Sequence, residues 1–438
     1  MNHSEKIDHD AVLRARTMLL GSGGLSPVRE VEVYRVLAPV SPLTYLPKLA
    51  RALVSYGYWR EIGDRPDVRL AVCAEAADAA RRIDAGEPRR TELLVDVLRT
   101  CQHELFRAGR RAEGVAMCEE MAEAGRWGFE QGQVSSARYV EGRLATVRAE
   151  EGRHREAAEL RERLARPGPD ETPADVFFWN NVAWAADLDA AGQRDAALDV
   201  FADLVSTHRR GVEAAKPPLA LLTWELVHHS RMLDAAGRRA EARSARQEAL
   251  ALLAELARTG ERTSGGDVLR WTALFALSGR PAEPEASPGA PAPAFGTSLS
   301  SWSPDVREAY VASLPRLEEE VAALAGAART DARGHLPALV TAQRRLTIRS
   351  VLVGVKRGRP DLEPFRPLFD EGVALARRLA DLPGPAHDGP AASARALTDR
   401  AVFLVADERY GAAYDDFLEV VALLDGDVSP ISHPKTVK

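Results

Sequence analysis

The sequence predicts an all-α protein built from repeated helical hairpins. Three observations carry this. A glycine-centred turn recurs along the chain: Gly63 (GDRPDV), Gly109 (GRRAEG), Gly152 (GRHREA), Gly192 (GQRDAA), Gly237 (GRRAEA) and Gly279 (GRPAEP). Their spacings are 46, 43, 40, 45 and 42 residues, a period that marks a repeat architecture. Apolar stripes at helical spacing flank the turns, and no segment alternates convincingly with period two, so no sheet is expected.

The first element is a cap at 1–44. Residues 11–39 read as two short helices, the second starting at Ser26-Pro27, an N-cap followed by proline at the first helical position. The repeat array follows at 45–278. Upstream of each glycine, offsets −4, −8 and −11 give Trp59, Ser55 and Ala52; Leu105, Cys101 and Leu98; Leu188, Trp184 and Asn181; Leu233, His229 and Leu226. These lie on one face of a helix. The third repeat uses Val147, Leu144 and Val140. Downstream, offset +5 holds Val68, Gly114, Ala157, Ala197 and Ala242, all modest in size, as a close helix crossing requires. Each glycine therefore ends helix A in the left-handed conformation and opens helix B. Thr172-Pro173-Ala174-Asp175 marks a helix start with capping-box spacing.

The sixth repeat dissolves after its first helix into a Pro/Ala/Ser-rich stretch at 279–303, which reads as a flexible linker or long loop. Helix resumes at Ser303-Pro304-Asp305, and VREAYVASLPRLEEEVAALAGAA reads as one long amphipathic helix. His335–Lys356, Leu362–Leu382, Ala391–Ala406 and Tyr410–Leu424 follow as four helices. They pair as hairpins around Gly358 and Arg409-Tyr410-Gly411, both degenerate repeat turns. This region spans 304–428, and 429–438 is a loose tail.

The G-x-x-x-x-A core at Gly152/Ala157, Gly192/Ala197 and Gly237/Ala242 resembles the tetratricopeptide repeat family. The long period, with Asn180-Asn181-Val182-Ala183 opening a helix A, is similar to the kinesin-light-chain type. The resemblance covers Tyr45 to about Gly260. It implies a right-handed α-solenoid whose helices A line a concave surface, and binding of a protein or peptide partner there. On that surface it points to Asn180, Asn181, Trp184, Trp224, Glu225 and His228. An amide offers a donor and an acceptor to a peptide backbone, and tryptophan adds contact area. The bland alternative makes the tryptophans repeat core and the asparagines helix-start groups.

A second cluster is basic: Arg329, Arg333, Arg344, Arg345, Arg349, Lys356, Arg357, Arg359 and Arg366. It could face an acidic partner, or be a solvated face in an Arg-biased chain where only six of 58 basic residues are lysine. No aromatics interleave with it, and the net charge of −6 adds no general attraction to nucleic acid or anionic lipid.

Catalytic and metal constellations are not found. Gly21-Ser22-Gly23-Gly24 lacks a following G-K-[ST], and His103-Glu104 has Arg107 where a zinc motif needs histidine. His228 and His229 are adjacent and point about 100° apart on a helix. Cys73, Cys101 and Cys118 form no C-x-x-C pair and fit a reducing cytoplasm. The N-terminus reads as neither signal peptide nor membrane span. The expectation is a cytoplasmic, non-catalytic scaffold without cofactor or metal, its oligomeric state open. The alternative is a sensory or regulatory module acting on a separate transcriptional or signalling protein.

Overall fold

The computed structural model describes residues 8–21, 24–58, 65–136, 140–165, 174–213, 218–261, 268–355, 361–382 and 389–426. Among these the chain is helical, without a strand; one isolated bridge joins Ser287 and Ala290. The chain divides into two compact units, one of residues 1–148 with 303–305, the other of 149–302 with 306–438. The division falls at Arg148/Ala149, inside the repeat array, and not at 279–303.

The first unit contains α1 (His9–Leu20), α2 (Pro27–Leu37), α3 (Pro42–Gly57), α4 (Pro66–Arg81), α5 (Arg90–Arg107), α6 (Arg111–Glu130) and most of α7 (Glu141–Glu150). Successive helices from α1 to α6 pack on one another. Ser26 caps α2 as expected, accepting a bond from the Arg29 amide with Pro27 in the first turn. The small residue demanded at offset +5 is visible at Gly114, where a Cβ would lie 2.8 Å from the Phe106 ring.

The second unit contains α8 (His154–Ala165), α9 (Ala174–Ala190), α10 (Arg194–Glu213), α11 (Leu219–Ala235), α12 (Arg239–Thr259) and α13 (Val268–Gly279). After a long loop come most of α14 (Pro304–Ala312), then α15 (Leu314–Thr330), α16 (Ala332–Gly354), α17 (Arg366–Ala380), α18 (Gly389–Ala406) and α19 (Tyr410–Asp425). The one long helix expected after Pro304 is two, broken at Ser313. Pro315 supplies no amide to continue the first helix and fits the first turn of a new one.

The turn glycines behave as read. Gly109, Gly152, Gly192 and Gly237 have φ of 71°, 75°, 80° and 76°. The amide after three of them bonds five residues back, Arg110 to Leu105, Gln193 to Leu188 and Arg238 to Leu233, the closure that ends a helix at a left-handed residue. Gly63 and Gly358 lie outside the described residues. Gly279 differs: its φ is −93°, and a Cβ there would meet Ile348 Cδ1 at 2.5 Å. It permits close approach of α13 to α16 and makes no left-handed turn.

The C-terminal helices share a core with the repeats. α19 packs on α12, and α18 on α11 and α13. A run of rings links α13, α17 and α18: Trp271 to Phe275 at 5.8 Å, Phe275 to Phe369 at 5.5 Å, and Phe369 to Phe403 at 4.3 Å between centroids.

Of the two readings of 279–303, a flexible linker or a long loop, the structure has the loop, seated on Glu150, Gly152 and α9. The Ala292 amide donates to Glu150 O at 2.9 Å, and Gly296 packs so closely that a Cβ would sit 2.8 Å from Ala186 Cβ. Phe295 and Trp302 are buried, and the Trp302 indole N–H bonds Ala294 O at 3.2 Å and Thr297 Oγ1 at 3.1 Å. The prolines and alanines give an extended path, and two aromatic anchors hold it down.

Candidate functional site

The first cluster of sequence candidates divides in two. On α9, Asn180 and Trp184 are half-buried beside exposed Val176. These three stand at i, i+4 and i+8, one stripe of the helix. Asn181 is buried, and its side chain donates to Phe177 O at 2.8 Å, within its own helix. On α11, Trp224, Glu225 and His228 are all buried. The Trp224 indole N–H donates to Val402 O on α18 at 3.1 Å. Glu225 Oε1 lies 2.7 Å from His208 Nδ1; burial pushes its carboxyl above the usual range, and the histidine bond only partly opposes this. An open groove over α11 is therefore corrected: Trp224 faces α18 and Glu225 faces His208 of α10, while Asn181 of α9 is spent within its own helix, so all three serve the interior.

The basic cluster is corrected likewise. It is not a solvated face at its centre. Arg344 donates to Asp399 Oδ2 at 2.6 Å and to Ser278 Oγ at 2.8 Å. Arg349 is buried between Glu283, Ser313 and the Tyr310 ring, whose centroid is 4.6 Å from its guanidinium carbon. Arg345 has Glu320 at 3.9 Å. Arg366 pairs with Asp407 at 2.8 Å. Lys356, Arg357 and Arg359 lie outside the described residues. Arg329 and Arg333 are exposed. Apart from Glu363, which pairs with Arg366 three residues on, the acids that neutralise this cluster stand 25 to 66 residues away in sequence.

Folding joins the two clusters at one point. Asp399 of α18 receives Arg231 of α11 at 2.6 Å as well as Arg344 of α16. Burial alone would push this carboxyl up, but the two guanidinium groups outweigh it and hold it below its ordinary range. A cavity opens on either side of the end of α13. One, about 160 Å³, lies between α9, α10, α11 and the turn Arg280–Ala282; the other, about 90 Å³, lies between that turn, α16, α17 and α18. His228 lines the larger, Arg344 and Arg345 the smaller. Arg280 crosses from the turn to α9, donating to Ala186 O at 2.6 Å and to Asp189.

His228 is the odd member. Its Nδ1 is buried and has no hydrogen-bond partner. Burial, with Arg231 nearby, pushes its pKa down to about 3, so the ring is neutral. His229 is half-buried and is pushed down to about 4, mainly by burial. Sequence reasoning missed Asp399, Arg231, Arg280 and Asp189, whose roles depend on contacts 91 to 168 residues apart.

No family model matches the chain, and no curated protein matches it. Among the described residues no group of three histidine, cysteine or acidic side chains could hold a metal ion. No helix among them is long and apolar enough to cross a membrane.

Proposed function

We propose that this protein is a non-catalytic helical-repeat scaffold, a right-handed α-solenoid of the tetratricopeptide type, that holds a protein or peptide partner. The observation that carries the reading is the α9 stripe. Phe177, Phe178, Val182 and Leu188 of this helix are buried, yet Val176, Asn180 and Trp184 remain accessible. An apolar residue, an amide and an indole along one helical stripe supply anchor, backbone hydrogen bonding and area for an extended segment. The groove is thereby narrowed from α9 and α11 to α9 alone. The second reading, a regulatory module acting on a separate protein, is favoured by the larger cavity and the unpartnered His228 on its wall.

The test is site-specific photocrosslinking from Val176, with a crosslinker at exposed Glu159 as control, followed by titration of the captured partner. Asn180→Ala with Trp184→Ala should weaken binding about tenfold or more. Unchanged affinity in the folded double variant, or equal capture from both positions, would remove the α9 stripe as the site.

A further inference from the structure

The larger cavity has the character of a ligand site in its own right, independent of the α9 stripe. At about 160 Å³ it has room for roughly five waters. Its wall is largely apolar, with Leu198, Phe201, Met232 and Leu277. Three guanidinium groups border it, from Arg194, Arg231 and Arg280, against one carboxylate, Asp189. The lining carries three positive charges and one negative, and Asp399, the partner of Arg231, offsets one more, leaving a formal +1 in a chain whose net charge is −6.

These cations keep donors in reserve. Arg231 donates to Asp399, and Arg280 to Ala186 O and Asp189. A guanidinium has five N–H groups, so each retains some. Arg194 is exposed at the rim. A cation would meet repulsion here. A neutral hydrocarbon would leave the donors unpaired, and an inorganic anion would leave the apolar wall unmatched.

We propose that this cavity binds a small organic carboxylate with an apolar body. The carboxylate pairs with the bordering guanidinium groups, the geometry in which arginine binds most strongly. The body packs on Met232 and Ala235, the accessible apolar residues of the wall.

The test is isothermal titration calorimetry of the full chain with 4-hydroxybenzoate and hexanoate. Benzyl alcohol, benzylamine and inorganic phosphate are the comparison probes. Both carboxylates should bind one to one, about tenfold or more tighter than any comparison probe. Ala235→Trp, at an exposed lining position, should block binding while the circular dichroism spectrum stays helical. Arg194→Gln, also exposed, should weaken binding several-fold and reduce its salt dependence. The proposal is overturned if neither carboxylate binds the folded protein, if benzyl alcohol or phosphate binds as well, or if both variants bind like the wild type.

Discussion

Gly152 and Gly192 offer a matched pair for measuring what the loop after α13 contributes. Both end a helix A with almost the same backbone, φ 75° and 80°. Their surroundings differ. A Cβ on Gly192 meets nothing within 4 Å, whereas a Cβ on Gly152 would lie 2.3 Å from the backbone oxygen of Ala286. Gly192→Ala therefore pays only for a side chain in the left-handed region, about 1 kcal/mol. Gly152→Ala carries that same strain and must also push the loop off. The obstacle is a main-chain atom that cannot rotate away. The nearby bond from the Ala292 amide to Glu150 O is worth about 1 kcal/mol by itself, and shifting the loop also loosens buried Phe295 and Gly296 against α9. The expected cost is about 3 kcal/mol, so the two variants should differ by about 2 kcal/mol. Urea denaturation followed by far-ultraviolet circular dichroism measures both through the linear dependence of stability on denaturant. Equal losses in the two variants would refute the idea that the loop is seated on the Gly152 turn.

Two further outcomes follow from the buried charges. His228 and His229 have folded pKa values of about 3 and about 4, below the ordinary 6.5. The unfolded chain therefore binds protons before the native one does. Their stabilisation is complete above pH 6.5 and is lost as pH falls, at up to about 1.4 kcal/mol per pH unit for each ring. Denaturation titrations between those limits should show His228→Phe reducing the slope by about one proton; an unaltered slope would contradict the buried neutral imidazole. Arg344→Ala should cost about 2–3 kcal/mol because it leaves Asp399 short of a partner, while Arg345→Ala should cost less than about 0.5 kcal/mol. Equal melting temperatures for the two would restore the picture of a solvated basic face.

Repeat geometry was readable because its determinants are local. A left-handed residue needs glycine, and a close crossing needs a small side chain five places on. The last hairpin shows the same rule without the glycine. Glu408 takes the left-handed conformation at φ 58°, the Arg409 amide bonds Leu404 O, and Ala413 stands five residues later, fully buried. Arg409-Tyr410-Gly411 marks the turn in the sequence, but its pivot is Glu408, and glutamate gives no such signal. The candidate site was less legible. Asn180 and Trp184 are half-buried on the stripe headed by exposed Val176, whereas Trp224 is covered by α18, far along the chain, and Glu225 by His208 of α10. The same limit applied to Arg344, whose counter-ion Asp399 is 55 residues away. Phe295 and Trp302 are the residues that anchor the Pro/Ala/Ser-rich stretch, two large aromatics in a composition that otherwise reads as loop.

The packing of the last two helices on the fifth hairpin has a consequence for how the second unit is made. Linear repeat arrays gain stability from neighbours and can grow one module at a time. Here the Trp224 indole meets Val402 across 178 residues, Arg231 meets Asp399 across 168, and buried Arg246 meets Asp425 across 179. A nascent chain that has completed α12 still lacks the carbonyl, the carboxylates and the ring surface that complete α11 and α12. These contacts form only when α18 and α19 have left the ribosome, so the loop-closure entropy of a long chain falls on that step. The second unit should therefore fold late and as a whole, and a ribosome stalled before α18 should hold a chain whose fifth hairpin is open to proteases.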